Sequence, residues 1–166
     1  LPVNPSQFGQ QAQLNATVAA IAPGAGTPTG MVTFKDGITP ICGAPLAAGA
    51  AQCAIASLAS GGHSITVEYG GDANFAASTS GAQVQTVGNA GSTTALVSGT
   101  NPSVFGQAVQ FTATAAVMAP GVGTPTGTIA INDGATTLCS ALAAAGQAAC
   151  ASSALAVGSH GISANY

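Results

Sequence analysis

"QAQLNATVA", Gln11 to Ala19, alternates apolar and polar residues. Ala12, Leu14, Ala16 and Val18 fall on one side, and Gln11, Gln13, Asn15 and Thr17 on the other. Successive side chains of a strand point to opposite faces, so this is the pattern of a strand with one face in a core. Further along, "MVTFKDG" from Met31 offers Val32 and Phe34 to the same core ahead of an Asp-Gly turn signal. "HSITVEY" from His63 offers Ile65, Val67 and Tyr69. Pro and Gly clusters at 22–30 and 70–72 separate these runs, and no window carries a sustained helical period. Short alternating strands between such turns predict an all-β antiparallel sandwich.

The chain repeats itself. "NPSQFGQ" from Asn4 returns as "NPSVFGQ" from Asn101, an offset of 97 (101 − 4), and "PGAGTPTG" from Pro23 returns as "PGVGTPTG" from Pro120 at the same offset. Cys42, Cys53 and His63 map in the same way onto Cys139, Cys150 and His160. The second copy keeps the strand register, with Val109, Phe111, Ala113 and Ala115 inward. Two domains follow, residues 1–90 and 91–166. "GSTTALV" from Gly91 reads as a first strand with no counterpart before Leu1, and the run through Ala82 to Val87 reads as a last strand with no counterpart after Tyr166. A sandwich lacking its last strand exposes a sheet edge that invites pairing. The preferred expectation is a window from a longer tandem array; the other is that neighbouring subunits supply strands.

Composition excludes several functions. Charged residues make up 3% of the 166, against about 25% in ordinary domains. They are Lys35, Asp36, Glu68, Asp72 and Asp133, with no arginine. Nucleic-acid binding needs clustered Lys and Arg, and an electrostatic membrane patch needs the same. No apolar run reaches the length of a membrane span, so no membrane insertion is expected. The start, "LPVNPSQFGQ", lacks the regions of a signal peptide, and the expectation is that any such segment has been removed.

"NPSxFGQ", "TPTG", "DG", "LxxGxH" and "GDANF", in that order, resemble the bacterial Ig-like repeats of large secreted and surface proteins. The resemblance runs through both copies and covers nearly the whole chain. It implies two tandem immunoglobulin-like antiparallel β-sandwich domains, used as spacer or stalk modules, with no catalytic residues to carry over.

The only histidines end the hexapeptides "LASGGH", with Leu58, Gly61 and His63, and "LAVGSH", with Leu155, Gly158 and His160. In Ig-like sandwiches a Tyr near the start of the penultimate strand bonds back to the preceding turn. His63 and His160 stand in that place, so a structural corner is expected rather than a metal site or a pH sensor. No cluster of further ligands accompanies either one.

Cys42 and Cys53 enclose ten residues, as do Cys139 and Cys150. A hairpin centred on Ala47-Ala48 sets Cys42 opposite Cys53, within disulfide reach. Zinc lacks the tight CxxC spacing it favours. Disulfides place the protein in an oxidising, extracellular space.

Lesser candidates remain. Asp36 and Asp133 read as turn residues, and Lys35 and Glu68 as a surface ion pair. A Lys–Asn isopeptide is disfavoured because the second copy has Asn132 and Asn165 at the places of Lys35 and Glu68. Asp72 and Asn74 offer too few oxygens for calcium. "NAT" makes Asn15 a formal glycosylation sequon. No Ser–His–Asp arrangement appears, and no cofactor is called for. Outward positions are neutral and small, which suits self-packing and makes stability nearly independent of pH. With no Trp, and Tyr69 and Tyr166 on the inward parity, stacking platforms for sugars are few.

The expected function is a non-enzymatic structural module of an extracellular bacterial filament, pilus-like fibre or surface stalk, whose partners are copies of itself. The alternative is an adhesin segment that grips a glycan or host protein.

Overall fold

The computed structural model describes residues 2–166. The chain divides into two units, Leu1–Ala90 and Gly91–Tyr166.

Unit 1 contains strands β1 (Ser6–Gln7), β2 (Ala12–Thr17), β3 (Met31–Asp36), β4 (Thr39–Pro45), β5 (Ala50–Ile55), β6 (Gly61–Tyr69), β7 (Ser78–Thr79) and β8 (Gln83–Gly88). One sheet runs β1-β8-β6-β3-β4, with the short β7 also against β6; the second is the pair β2-β5. All pairings are antiparallel except β1 with β8. The core joins the two sheets. Ala12, Leu14, Ala51 and Ile55 from the pair meet Val32, Phe34, Ile65, Tyr69 and Val87 from the larger sheet. These are the inward parities of the alternating runs, and burial of such a face drives the two layers together.

Unit 2 contains β9 (Ser92–Ser98), β10 (Val109–Val117), β11 (Thr128–Asp133), β12 (Thr136–Leu142), β13 (Gln147–Ser152) and β14 (Ile162–Asn165). Its sheets run β13-β10-β9 and β12-β11-β14. Val109, Phe111, Ala113 and Ala115 of β10 pack against Ile129 and Ile131 of β11.

The segment between the cysteines departs from the simple hairpin expected. Its turn is one residue further on, at Ala48-Gly49, where both residues have positive φ (49° and 77°) and Ala47 and Ala50 exchange both backbone hydrogen bonds. This is the primed turn geometry of tight hairpins. A Cβ on Gly49 would lie 2.9 Å from the carbonyl oxygen of Val18, so glycine is required there. The ladder then stops, because each arm is taken by another strand: Leu46 N–H donates to Gly30, and Val18 N–H donates to Gly49. β4 therefore joins β3 in one sheet and β5 joins β2 in the other. Unit 2 repeats the turn at Ala145-Gly146.

Candidate functional site

Two recurring constellations hold each unit together at the places the sequence singles out. The first is the disulfide. Cys42 bonds Cys53 and Cys139 bonds Cys150, each with a Cα–Cα distance of 6.5 Å. Since β4 and β5 belong to different sheets, the bridge ties layer to layer and is no cross-strand staple within one ladder.

The second is the corner before β6. The His63 ring lies with Nε2 2.8 Å from the Ala59 carbonyl oxygen and Nδ1 2.6 Å from the Asp36 carboxylate. Asp36 ends β3, and its other oxygen accepts the Ser64 N–H at 3.1 Å. In unit 2, His160 makes the same two contacts with Ala156, at 2.9 Å, and Asp133, at 2.6 Å. Asp36 and Asp133, read from sequence as turn residues alone, are the ion partners of the only two histidines. Leu58 is buried beneath the first corner, and Gly61 (φ 137°) and Gly158 (φ 142°) take the positive-φ step into the strand.

Both ring nitrogens thus face oxygen acceptors, and neither a carbonyl nor an ionised carboxylate can donate. Only the imidazolium, with a proton on each nitrogen, satisfies both. The contacts with Ala59 and Asp36 raise the pKa of His63, and those with Ala156 and Asp133 raise that of His160, against a smaller opposing effect of desolvation. A histidine whose folded pKa is raised contributes its stability fully below the unfolded value, about 6.5, and loses it as pH rises through the folded value. The near pH-independence expected from composition is therefore replaced by a loss of stability on the alkaline side. The melting temperature is expected to fall as pH is raised from about 6.5, and Asp36→Asn with Asp133→Asn is expected to flatten that fall. Imidazole NMR titrations with midpoints at or below the free value would sink this assignment.

Asp72, weighed from sequence as a weak calcium candidate, is engaged in a loop anchor. Its carboxylate accepts hydrogen bonds from Thr29 N–H and Oγ1 and from the N–H groups of Asn74 and Phe75, at 2.7–2.9 Å. These donors hold its pKa well below the usual carboxylate range. Beside it, the Tyr69 hydroxyl donates to the Thr29 carbonyl at 2.8 Å.

Lys35 Nζ lies 2.5 Å from Glu68 Oε1 at the surface. Asn15 stands exposed on β2, beside a groove of about 470 Å³ along the open edge of that strand. A second groove, of about 810 Å³, lies in unit 2 against β14. Tyr166, placed inward by parity, is 47% exposed. Its hydroxyl nonetheless donates to the Thr126 carbonyl, the repeat equivalent of the Tyr69 bond. Among the described residues no three His, Cys, Asp or Glu side chains gather into a metal site, and no helix is long and apolar enough to cross a membrane.

The sequence model of the bacterial Ig-like domain (group 3) matches residues 2–88 and again 96–166. The chain belongs to the bacterial Ig-like domain (group 3) family. Comparison with curated proteins yields no match. Among solved structures, the fibronectin(III)-like modules of CbhA from Clostridium thermocellum are similar to this chain at 21% identity with a TM-score of 0.40, over 98% of this chain and 80% of that one. Bacterial Ig-like domains are structural or surface modules, generally without catalysis, and together with two disulfides they fit an extracellular or surface protein.

Proposed function

We propose that this tandem of bacterial Ig-like domains is a non-enzymatic structural segment of an extracellular bacterial filament, pilus-like fibre or surface stalk. The observation that carries the reading is repetition of a self-contained device. Each unit has its own core, its own disulfide between sheets and its own His–Asp corner. Three residues, 89–91, connect β8 of the first unit to β9 of the second. Sandwiches joined by so short a connection transmit load, and bridges between layers resist their opening. The neutral surface permits lateral packing with copies, since little like-charge repulsion opposes it.

Antibodies raised against residues 1–166 are expected to decorate intact, unpermeabilised cells, on filaments or a surface layer. Label appearing only after lysis would falsify the reading.

One observation favours the adhesin alternative. Phe105 is 77% exposed and offers aromatic surface that the sequence parity does not provide. Saturable binding to a glycan array, lost in Phe105→Ala, would select that reading; its absence would leave the structural one alone.

A further inference from the structure

Residues 3–8 and β8 are far apart in the sequence of unit 1, yet they run side by side in the same direction. β1 pairs with β8 in parallel, Ser6 opposite Val87 and Gln7 opposite Gly88, and the Phe8 N–H donates to the Gly88 carbonyl at 2.8 Å. Every other strand pair of the unit is antiparallel.

Two side chains lengthen this seam beyond the backbone ladder. The Asn4 amide stands in for a strand peptide: Nδ2 donates to the Val84 carbonyl at 2.7 Å, and Oδ1 accepts the Thr86 N–H at 2.9 Å. Val84, Thr86 and Gly88 are alternate residues of β8, so their edge groups are met in turn by Asn4 and by the β1 segment. From the other side, Gln85 reaches back. Its side chain is fully buried, with Nε2 3.0 Å from the Val3 carbonyl and 3.1 Å from Ser6 Oγ; the Thr86 carbonyl of its own strand also lies at 3.1 Å. A buried amide costs free energy unless it is bonded, and a leucine would fill the same layer without that cost. What the amide adds is the tie across the seam. The motif "NPSQFGQ" thereby acquires a role, since its Asn4 and Ser6 both hold β8.

Parallel alignment decides how the seam meets tension. When the chain is pulled along its length, the segment before β1 and the segment after β8 move apart, and the two strands slide past one another. Bonds that lie across the direction of sliding are then strained together. In an antiparallel hairpin drawn apart at its open end, they break one at a time. Unfolding under force is governed by the unfolding rate, so the decisive contacts are those that must break first.

We infer that the seam held by Asn4 and Gln85 is the mechanical clamp of unit 1, the contact that tension along the chain breaks before the sandwich opens. The disulfide ties β4 to β5 and leaves β1 and β8 unlinked. Phe34 and Leu14 fill the space between the layers, where sliding of β1 along β8 does not strain them first. The inference rests on the structural reading above, because it names the contact on which the resistance of a stalk depends.

The test stretches the 166-residue chain between its two ends in an atomic force microscope. Unit 1 is the longer unit, so its unfolding event is told apart by the greater length of chain released. Asn4→Ala and Gln85→Leu are each expected to raise its unfolding rate at fixed load about tenfold, the effect of losing a pair of hydrogen bonds. Phe34→Ala, which weakens unit 1 more in urea, is expected to raise that rate less. Moving one handle from residue 166 to Gly81 puts both handles at the same end of the seam, and unit 1 is then expected to open at a lower force. Rates that follow urea stability across these variants, or an equal force in the two pulling geometries, overturn the inference. Surface labelling of cells reads neither quantity, so the two readings fail separately.

Discussion

Phe34→Ala is expected to lower the stability of unit 1 by about 3–5 kcal/mol, the range for removing a buried aromatic ring. Phe34 stands on β3, 1% exposed, between Val32 on its own strand and Leu14 on the facing sheet. Many core positions are alanine, which buries little area, so the few large side chains carry a disproportionate share of the hydrophobic stabilisation. The ring also lines the groove beside β2. Truncation therefore opens a space that merges with that groove and admits water instead of leaving a sealed void. This places the loss in the lower part of the range. Each unit has its own core, so urea unfolding followed by NMR should show the resonances of residues 2–90 lost at lower denaturant. Phe111→Ala does the same for unit 2, where Phe111 is the large buried ring of the second core, at the place that Leu14 holds in the first. A shift worth under about 1 kcal/mol, the size of a typical surface effect, would mean that the ring does not organise the core.

The strands were legible because their signal is local. Alternation over a handful of residues puts Leu14, Phe34 and Ile65 inward whatever they pack against, and the offset of 97 between copies tests each assignment twice. What pairs with what is a long-range matter. Ten residues between two cysteines, with a tight turn inside, look like one ladder; the partners that take β4 and β5 into different sheets come from Gly30 and Val18, and nothing between the cysteines announces them. The corner is an intermediate case. Asp36 and His63 are 27 residues apart, beyond any local pattern, yet Asp133 and His160 keep the same separation. In a chain with so few ionisable groups, that coincidence was a readable signal of an ion pair. Asp72 was readable too: a carboxylate two and three residues ahead of free N–H groups forms a turn cap before it forms a cation site.

Replacing Cys42 and Cys53 together by alanine is expected to cost unit 1 about 3 kcal/mol, with the same loss in unit 2 from Cys139 and Cys150, by the loop-entropy argument. The closed loop is short, with a sequence separation of 11 in each unit, so the unfolded chain regains only a modest freedom. The folded state makes the effect worth measuring. Beyond the single bridge of Ala47 with Ala50, β4 and β5 share no ladder, and each belongs to a different layer. The covalent tie therefore crosses the same core that Phe34 fills, and its loss allows the layers to part at the β4–β5 end first. Paired substitution is the cleaner probe, because a single one leaves a free thiol beside a core methyl group. Denaturation of the unaltered chain with and without reductant should reproduce the loss in both units at once, and should accelerate amide exchange in β4 and β12 before the central strands β3 and β11. If reduction leaves the unfolding curve unchanged, hydrophobic contact alone holds the layers, and the resistance to load proposed for the stalk loses its covalent part. If exchange accelerates uniformly through both sheets, the bridge acts on the unfolded chain alone and the layer-to-layer account of it is wrong.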